Sequence, residues 1–178
     1  MKAFWTLLWS ICRLRQRPED MPRSVGLLLL VLLLDVALGI ATQWLTEPSL
    51  FREGIGLILI GVTLDALALW ALTLFKNARP HFLPALTMIY GADFMIGLFV
   101  LPLALAGLAL PKTPWLPVVV FGQMLLVGWS LGVRGFVYHR SLSVGIFLAI
   151  ALSCTLLLLT VFISVQFFPE LMPASIPH

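Results

Sequence analysis

Five apolar runs, each long enough to cross a bilayer, decide what this chain can fold into. They fall at 24–43, 54–75, 82–110, 115–133 and 143–168. A hydrocarbon core of about 30 Å takes roughly 20 helical residues to span. No backbone N–H or C=O can be left unpaired inside it, which restricts the choice to helices or a closed barrel. The runs are continuous and show no alternation of apolar with polar residues, so they lack the barrel-strand pattern and predict helices. Composition agrees, with 61% of residues hydrophobic and 11% charged, too little charge to cover a soluble domain. Connections of about ten residues at most leave no space for a second domain. The expected architecture is therefore all-α, a polytopic bundle of five transmembrane helices over residues 24–168. Residues 1–17 read as a cytoplasmic amphipathic helix. Residues 169–178, broken by Pro169, Pro173 and Pro177, read as a non-helical extracytoplasmic tail.

The basic residues predict orientation. Lys2, Arg13, Arg15, Arg17, Arg23, Lys76, Arg79, Arg134 and Arg140 fall on one side of the five runs, and only Arg52 and Lys112 on the other. That asymmetry predicts N-in, C-out, and it accounts for the net charge of +3 without a nucleic-acid partner. At the N-terminus, Lys2, Thr6, Ser10, Arg13 and Arg17 recur at steps of three and four and share one helical face. Such a helix can lie in the inner leaflet with its cations at the headgroups, or pack on the bundle as a lead-in; the two are compatible. Its arginines follow the apolar stretch, the reverse of a signal peptide. Lys2, Arg13, Arg17, Arg79, Arg134 and Arg140 are the candidates for anionic lipid headgroups. Cys12 and Cys154 are expected as free thiols.

Three aspartates interrupt the apolar runs. Asp35 lies in VLLLDVALG, Asp65 in VTLDALALW and Asp93 in YGADFMIG. Counted from the basic ends of their runs, all three sit about 15–16 Å deep, at the bilayer centre. Gln123 and Ser153 fall at a matching depth in the last two runs, and Tyr90 lies one turn before Asp93. Gly39, Gly61 and Gly97 each lie four residues from an aspartate, always toward the opposite end, where a missing side chain would make a close helix contact or a small cavity. With the fourth run ending at Val133, no Lys or Arg lies inside any run. An ionised aspartate at midplane costs roughly 2.5–3.5 kcal/mol, so at least two of the three are expected in the neutral form. The layer Asp35, Asp65, Asp93, Gln123, Ser153 and Tyr90 then has three uses: fixing helix register, relaying a proton or cation, or docking the intramembrane cation of a partner.

No glycine-rich phosphate loop, no His or Cys cluster at metal-ligand spacing and no nucleophile beside a base occurs in the sequence. No enzymatic activity, metal or other cofactor is therefore expected. Gly145, Ala149 and Ser153 repeat every four residues, as do Gly128 and Gly132. Such rows let helix backbones approach closely, within the bundle or in self-association.

The stretches WSICRLRQRPEDMP and FKNARPHFLPALTMIYGADFMIGLFVLPLAL, with the five-span layout, resemble the Yip1-domain membrane proteins. The acidic Asp-Leu-Tyr-Gly-Pro segment of the eukaryotic members is absent, so the similarity is to the short bacterial type. The resemblance implies a non-catalytic scaffold in a bacterial inner membrane, acting through lipids and another membrane protein. The alternative expectation is a small proton- or cation-coupled transport component using Asp35, Asp65 and Asp93.

Overall fold

The structure, a computed structural model, describes residues 9–12, 21–109 and 114–168. Five long helices follow one another: α1 Val25–Thr46, α2 Phe51–Phe75, α3 Phe82–Ala109, α4 Leu116–Leu142 and α5 Ile146–Phe167. All five are long and apolar enough to cross a membrane, and residues 9–12 are also helical. Their ends follow local chemistry. Ser24 caps α1, its Oγ accepting from the Leu27 N–H at 3.3 Å. At the end of α2, Asn77 takes the left-handed conformation (φ 53°) and the Ala78 N–H reaches back to the Thr73 carbonyl at 2.8 Å. This is the glycine-type helix stop with asparagine in the glycine place. The helix α3 runs on through Pro102. At about 1.5 Å per residue its length exceeds the hydrocarbon core, so it must tilt to stay within it.

Four helices keep the boundaries that their apolar runs predict to within a few residues. The fourth does not. It continues past Val133 for nine more residues, to Leu142, so Arg134 lies within a spanning helix and not in an inner loop. A first arginine normally marks a span end because an unpaired charge is expelled from lipid. Here the charge is paired inside the bundle, and the helix is free to continue.

The helix α3 is the hub, packing most extensively against α1 and α4, while α4 packs in turn on α5. Every residue from Pro84 to Ile96 except Asp93 is buried. The matching halves of α2 and α4 contribute Leu69, Thr73, Val133, Val137 and Tyr138, all nearly or fully buried. Where α4 meets α5, a Cβ on Gly135 would stand 3.2 Å from the Ile150 Cα, so the two backbones touch through the missing side chain. The bundle is thus tight at the end carrying Arg23, Lys76, Arg79 and Arg140 and looser toward the end carrying Trp44 and Trp115. The outward faces are apolar, with Leu33, Trp115, Phe121 and Phe147 exposed, as lipid contact requires.

Residues 9–12 are part of this core. Ile11 and Cys12 are buried, the Trp129 indole N–H donates to the Cys12 carbonyl at 3.0 Å, and Phe99 lies between the rings of Trp9 and Trp129. Of the two places open to the N-terminal helix, its described part takes the one against the bundle. The rest of residues 1–17, with Lys2, Arg13 and Arg17, and the tail 169–178 lie outside the described residues.

Candidate functional site

Three helices bring charged groups together at one point. The Arg134 guanidinium on α4 donates through Nη1 to both carboxylate oxygens of Asp65 on α2, at 2.8 and 2.7 Å. Through Nη2 it donates to Asp93 Oδ2 on α3 at 2.7 Å. Ser130, one turn before Arg134 on the same face of α4, donates to the other Asp93 oxygen at 3.3 Å. The side chains are 23% (Arg134), 8% (Asp65) and 17% (Asp93) exposed. A planar fork that meets two carboxylates at once is a task for arginine; a lysine ammonium is a single point charge. Asp65 lies ten residues from Phe75 and Asp93 eleven from Phe82, about 15–16 Å deep. Arg134 starts eight residues from Leu142, about 12 Å deep, and its side chain covers the difference.

Asp35 on α1 joins this group without joining its bonds. It makes no hydrogen bond or ion pair among the described residues, yet it lines the same two cavities as Asp93. The smaller cavity, of about 200 Å³, is bounded by Asp35, Asp65, Asp93, Tyr90 and Arg134 together. The larger, of about 330 Å³, runs between α1, α3 and α4 from Asp35 and Asp93 to Thr42 and Gln43 near the Trp44 end. A third, of about 180 Å³, lies on the far side of the ion pair against Thr160 of α5. The glycine positions match this arrangement: Gly39 and Gly97 line the larger cavity, Gly39 and Gly61 the smaller. Gly97 also serves a close contact, because a Cβ there would stand 2.8 Å from Leu38 Cδ2.

Charge balance defines what the site can do. Three carboxylates face one guanidinium, and uncompensated charge at this depth is costly. One negative charge is matched by Arg134. The other two require protons or a cation. A divalent metal held by the carboxylates alone does not fit, since no group of three His, Cys, Asp or Glu side chains among the described residues converges closely enough to hold one.

Sequence reasoning places Asp35, Asp65, Asp93 and Tyr90 in one layer, and the structure puts all four around the smaller cavity, with the Tyr90 hydroxyl donating to the Val62 carbonyl at 2.8 Å. Gln123 and Ser153 are not in the group. Their depths follow from ending the fourth run at Val133; with α4 ending at Leu142 and α5 starting at Ile146, Gln123 moves toward one end and Ser153 toward the other. Ser153 is buried, and its hydroxyl has no hydrogen-bond partner among the described residues. The two residues missed are Arg134 and Ser130. The signal for them is the carboxylates themselves, which at midplane demand a cation within reach, and Arg134 stands at the edge of the fourth run. Its reading as a headgroup ligand is thereby corrected: both faces of its guanidinium fork are committed to Asp65 and Asp93. Arg79 lines a separate cavity of about 400 Å³ with Trp70, Thr73 and Phe82 at the basic end, and the exposed Arg140 lies over the Phe136 ring.

No family model, curated protein or solved structure matches this chain.

Proposed function

We propose that this chain is a small, non-catalytic membrane component in which the Asp35, Asp65, Asp93 and Arg134 network exchanges a proton or cation with one side of the membrane. The observation that carries this is the charge excess beside a cavity: a paired Asp65–Arg134–Asp93 core with the unpartnered Asp35 on the cavity wall. A network meant only to hold helices together would be satisfied internally. Intramembrane carboxyls that line a cavity mark ion paths. The basic-residue bias puts the Arg23, Lys76, Arg79 and Arg140 end in the cytoplasm of a bacterial inner membrane, so the larger cavity, which extends to Thr42 and Gln43, reaches toward the extracytoplasmic side. Infrared difference spectra of the protein in lipid, taken between about pH 5 and pH 9 with Asp-to-Asn variants assigning the bands, test the reading. The expected result is a carboxyl C=O band that changes with pH or with added sodium and is missing in Asp35→Asn. Carboxyl bands invariant under both refute it.

The scaffold role suggested by the Yip1-like layout is the second reading, and one observation favours it. Among the described residues nothing stands within 4 Å of a Cβ placed on Gly128 or Gly132, which leaves the small-residue row on α4 available to a partner helix or a second copy. In the other row, Ala149 and Ser153 are used by packing within the chain, and only Gly145 meets open space. Loss of a co-purifying membrane protein, or of self-association, in Gly128→Leu supports this role; an unchanged profile counts against it.

A further inference from the structure

The shape of the larger cavity says more about its occupant than charge balance does. It is a separate observation from the ion pair, though its interpretation rests on the ion-exchange reading above. Its volume is about 330 Å³, room for on the order of ten water-sized groups. That is far more than a proton or bare alkali cation needs. Its walls are Leu38, Ile96, Val100, Leu126 and Val127, which cannot replace the hydration shell of an inorganic ion. Polar groups gather at its two ends only: Thr42 and Gln43 at the outer end, and Asp35, Asp93 and Ser130 at the inner end. Of the two carboxylates, Asp93 is engaged by Arg134 and Ser130. Asp35 is the one with a charge to give. An apolar barrel with a single uncommitted anion at its floor complements a ligand that is apolar along its length and cationic at one tip.

The type of cation follows from what the walls lack. Among the described residues no Trp, Tyr or Phe lines this cavity, so they build no aromatic cage of the kind that holds quaternary ammonium groups. Recognition must come from N–H donors reaching the Asp35 oxygens, in a charge-assisted hydrogen bond that a quaternary ammonium cannot make. We infer that the cavity between α1, α3 and α4 binds a small lipophilic ammonium ion, a protonated alkylamine, with Asp35 as its counter-ion. Binding such a cation and holding a proton at Asp35 are then mutually exclusive, which is the coupling an exchanger needs.

The test uses the full-length protein in lipid nanodiscs, with empty nanodiscs subtracted, and hexylammonium as the probe. Calorimetry should show saturable binding of hexylammonium. Hexanol and tetramethylammonium should bind at least tenfold more weakly, the first for lack of charge and the second for lack of N–H donors. Asp35→Asn, an isosteric change at a residue with no internal partner, should weaken hexylammonium binding at least tenfold. A second measurement needs no variant. A lipophilic carbodiimide labels intramembrane carboxyls, and peptide mass spectrometry should show Asp35 protected by hexylammonium but not by hexanol. Equal binding of hexanol, or absence of both heat and protection, overturns the inference. If the carboxyl bands respond to pH or sodium while hexylammonium neither binds nor protects, the ligand class is wrong and the ion-exchange reading stands. Invariant bands together with no binding remove both.

Discussion

Replacing Arg134 by methionine keeps most of the side-chain length and removes the charge that three helices share. The cost can be worked from the geometry. Breaking a buried pair by deleting one partner costs 3–5 kcal/mol, because the surviving charge is left uncompensated. Arg134 and Asp93 are 23% and 17% exposed, and the neighbouring cavities admit some solvation, so the lower end applies: about 3 kcal/mol, roughly two decades in the folded-to-unfolded ratio. Arg134→Lys should recover only part of this, since one ammonium cannot bond Asp65 and Asp93 in the same fork geometry. The triple variant Arg134→Met, Asp65→Asn, Asp93→Asn should return to within about 1 kcal/mol of wild type, because removing Arg134 together with both carboxylates bonded to it leaves no broken pair, and Asp35 is as unpaired as before. The assay is reversible unfolding of the purified protein in mixed micelles by added SDS, followed by circular dichroism. Ordinary polar contacts between membrane helices average about 0.6 kcal/mol. A loss no larger than that for Arg134→Met, or a triple variant less stable than the single one, would refute the claim that the ion pair ties α2, α3 and α4 together.

Three further outcomes follow from local geometry. Gly135→Ala should destabilise the bundle by about 1–3 kcal/mol through overpacking, because its Cβ would stand 3.2 Å from the Ile150 backbone; Gly128→Ala, with nothing among the described residues within 4 Å, should be neutral or stabilising in the same assay. Burial pushes the Cys12 thiol up to about 11, with the Asp93 carboxylate adding to the effect, so the thiol stays protonated at neutral pH. Maleimide should label native Cys12 far more slowly than unfolded protein at pH 8, and the labelling rate should climb as pH approaches 11. Trp129→Phe deletes the indole donor to the Cys12 carbonyl and should cost about 1 kcal/mol, read out as faster proteolysis within the first twenty residues.

Much of this architecture is legible in the sequence because lipid imposes simple rules. A helix in hydrocarbon must be about 20 apolar residues long and must pair its own backbone, so α1, α2, α3 and α5 are found from hydrophobicity alone. The same one-dimensional rule places Asp35, Asp65 and Asp93 at one depth, with Tyr90 one turn away, because depth in a helix is a count of residues. It also marks Gly39, Gly61 and Gly97 as the places where space would open beside the carboxylates, and these glycines line the cavities. The rule fails where two charges cancel. Counting residues assigns Arg134 to a loop, since it weighs each charge as though it faced lipid alone, and the same error displaces Gln123 and Ser153 from their true levels.

Everything that depends on position along a helix is thus written in the residue order: the number of spans, their extents apart from the fourth, and the depth of each carboxylate. Everything that depends on position around a helix and between helices is settled only when the helices pack. Asp65 and Asp93 share Arg134 while Asp35 does not, and that follows from the rotation of α1 relative to α2, α3 and α4. Rotation is set by side-chain packing and by close glycine contacts such as Gly97 on Leu38. An amphipathic pattern would normally announce it, but these helices are apolar on every face. The charge left over at Asp35 is a property of the assembled bundle that no single helix carries.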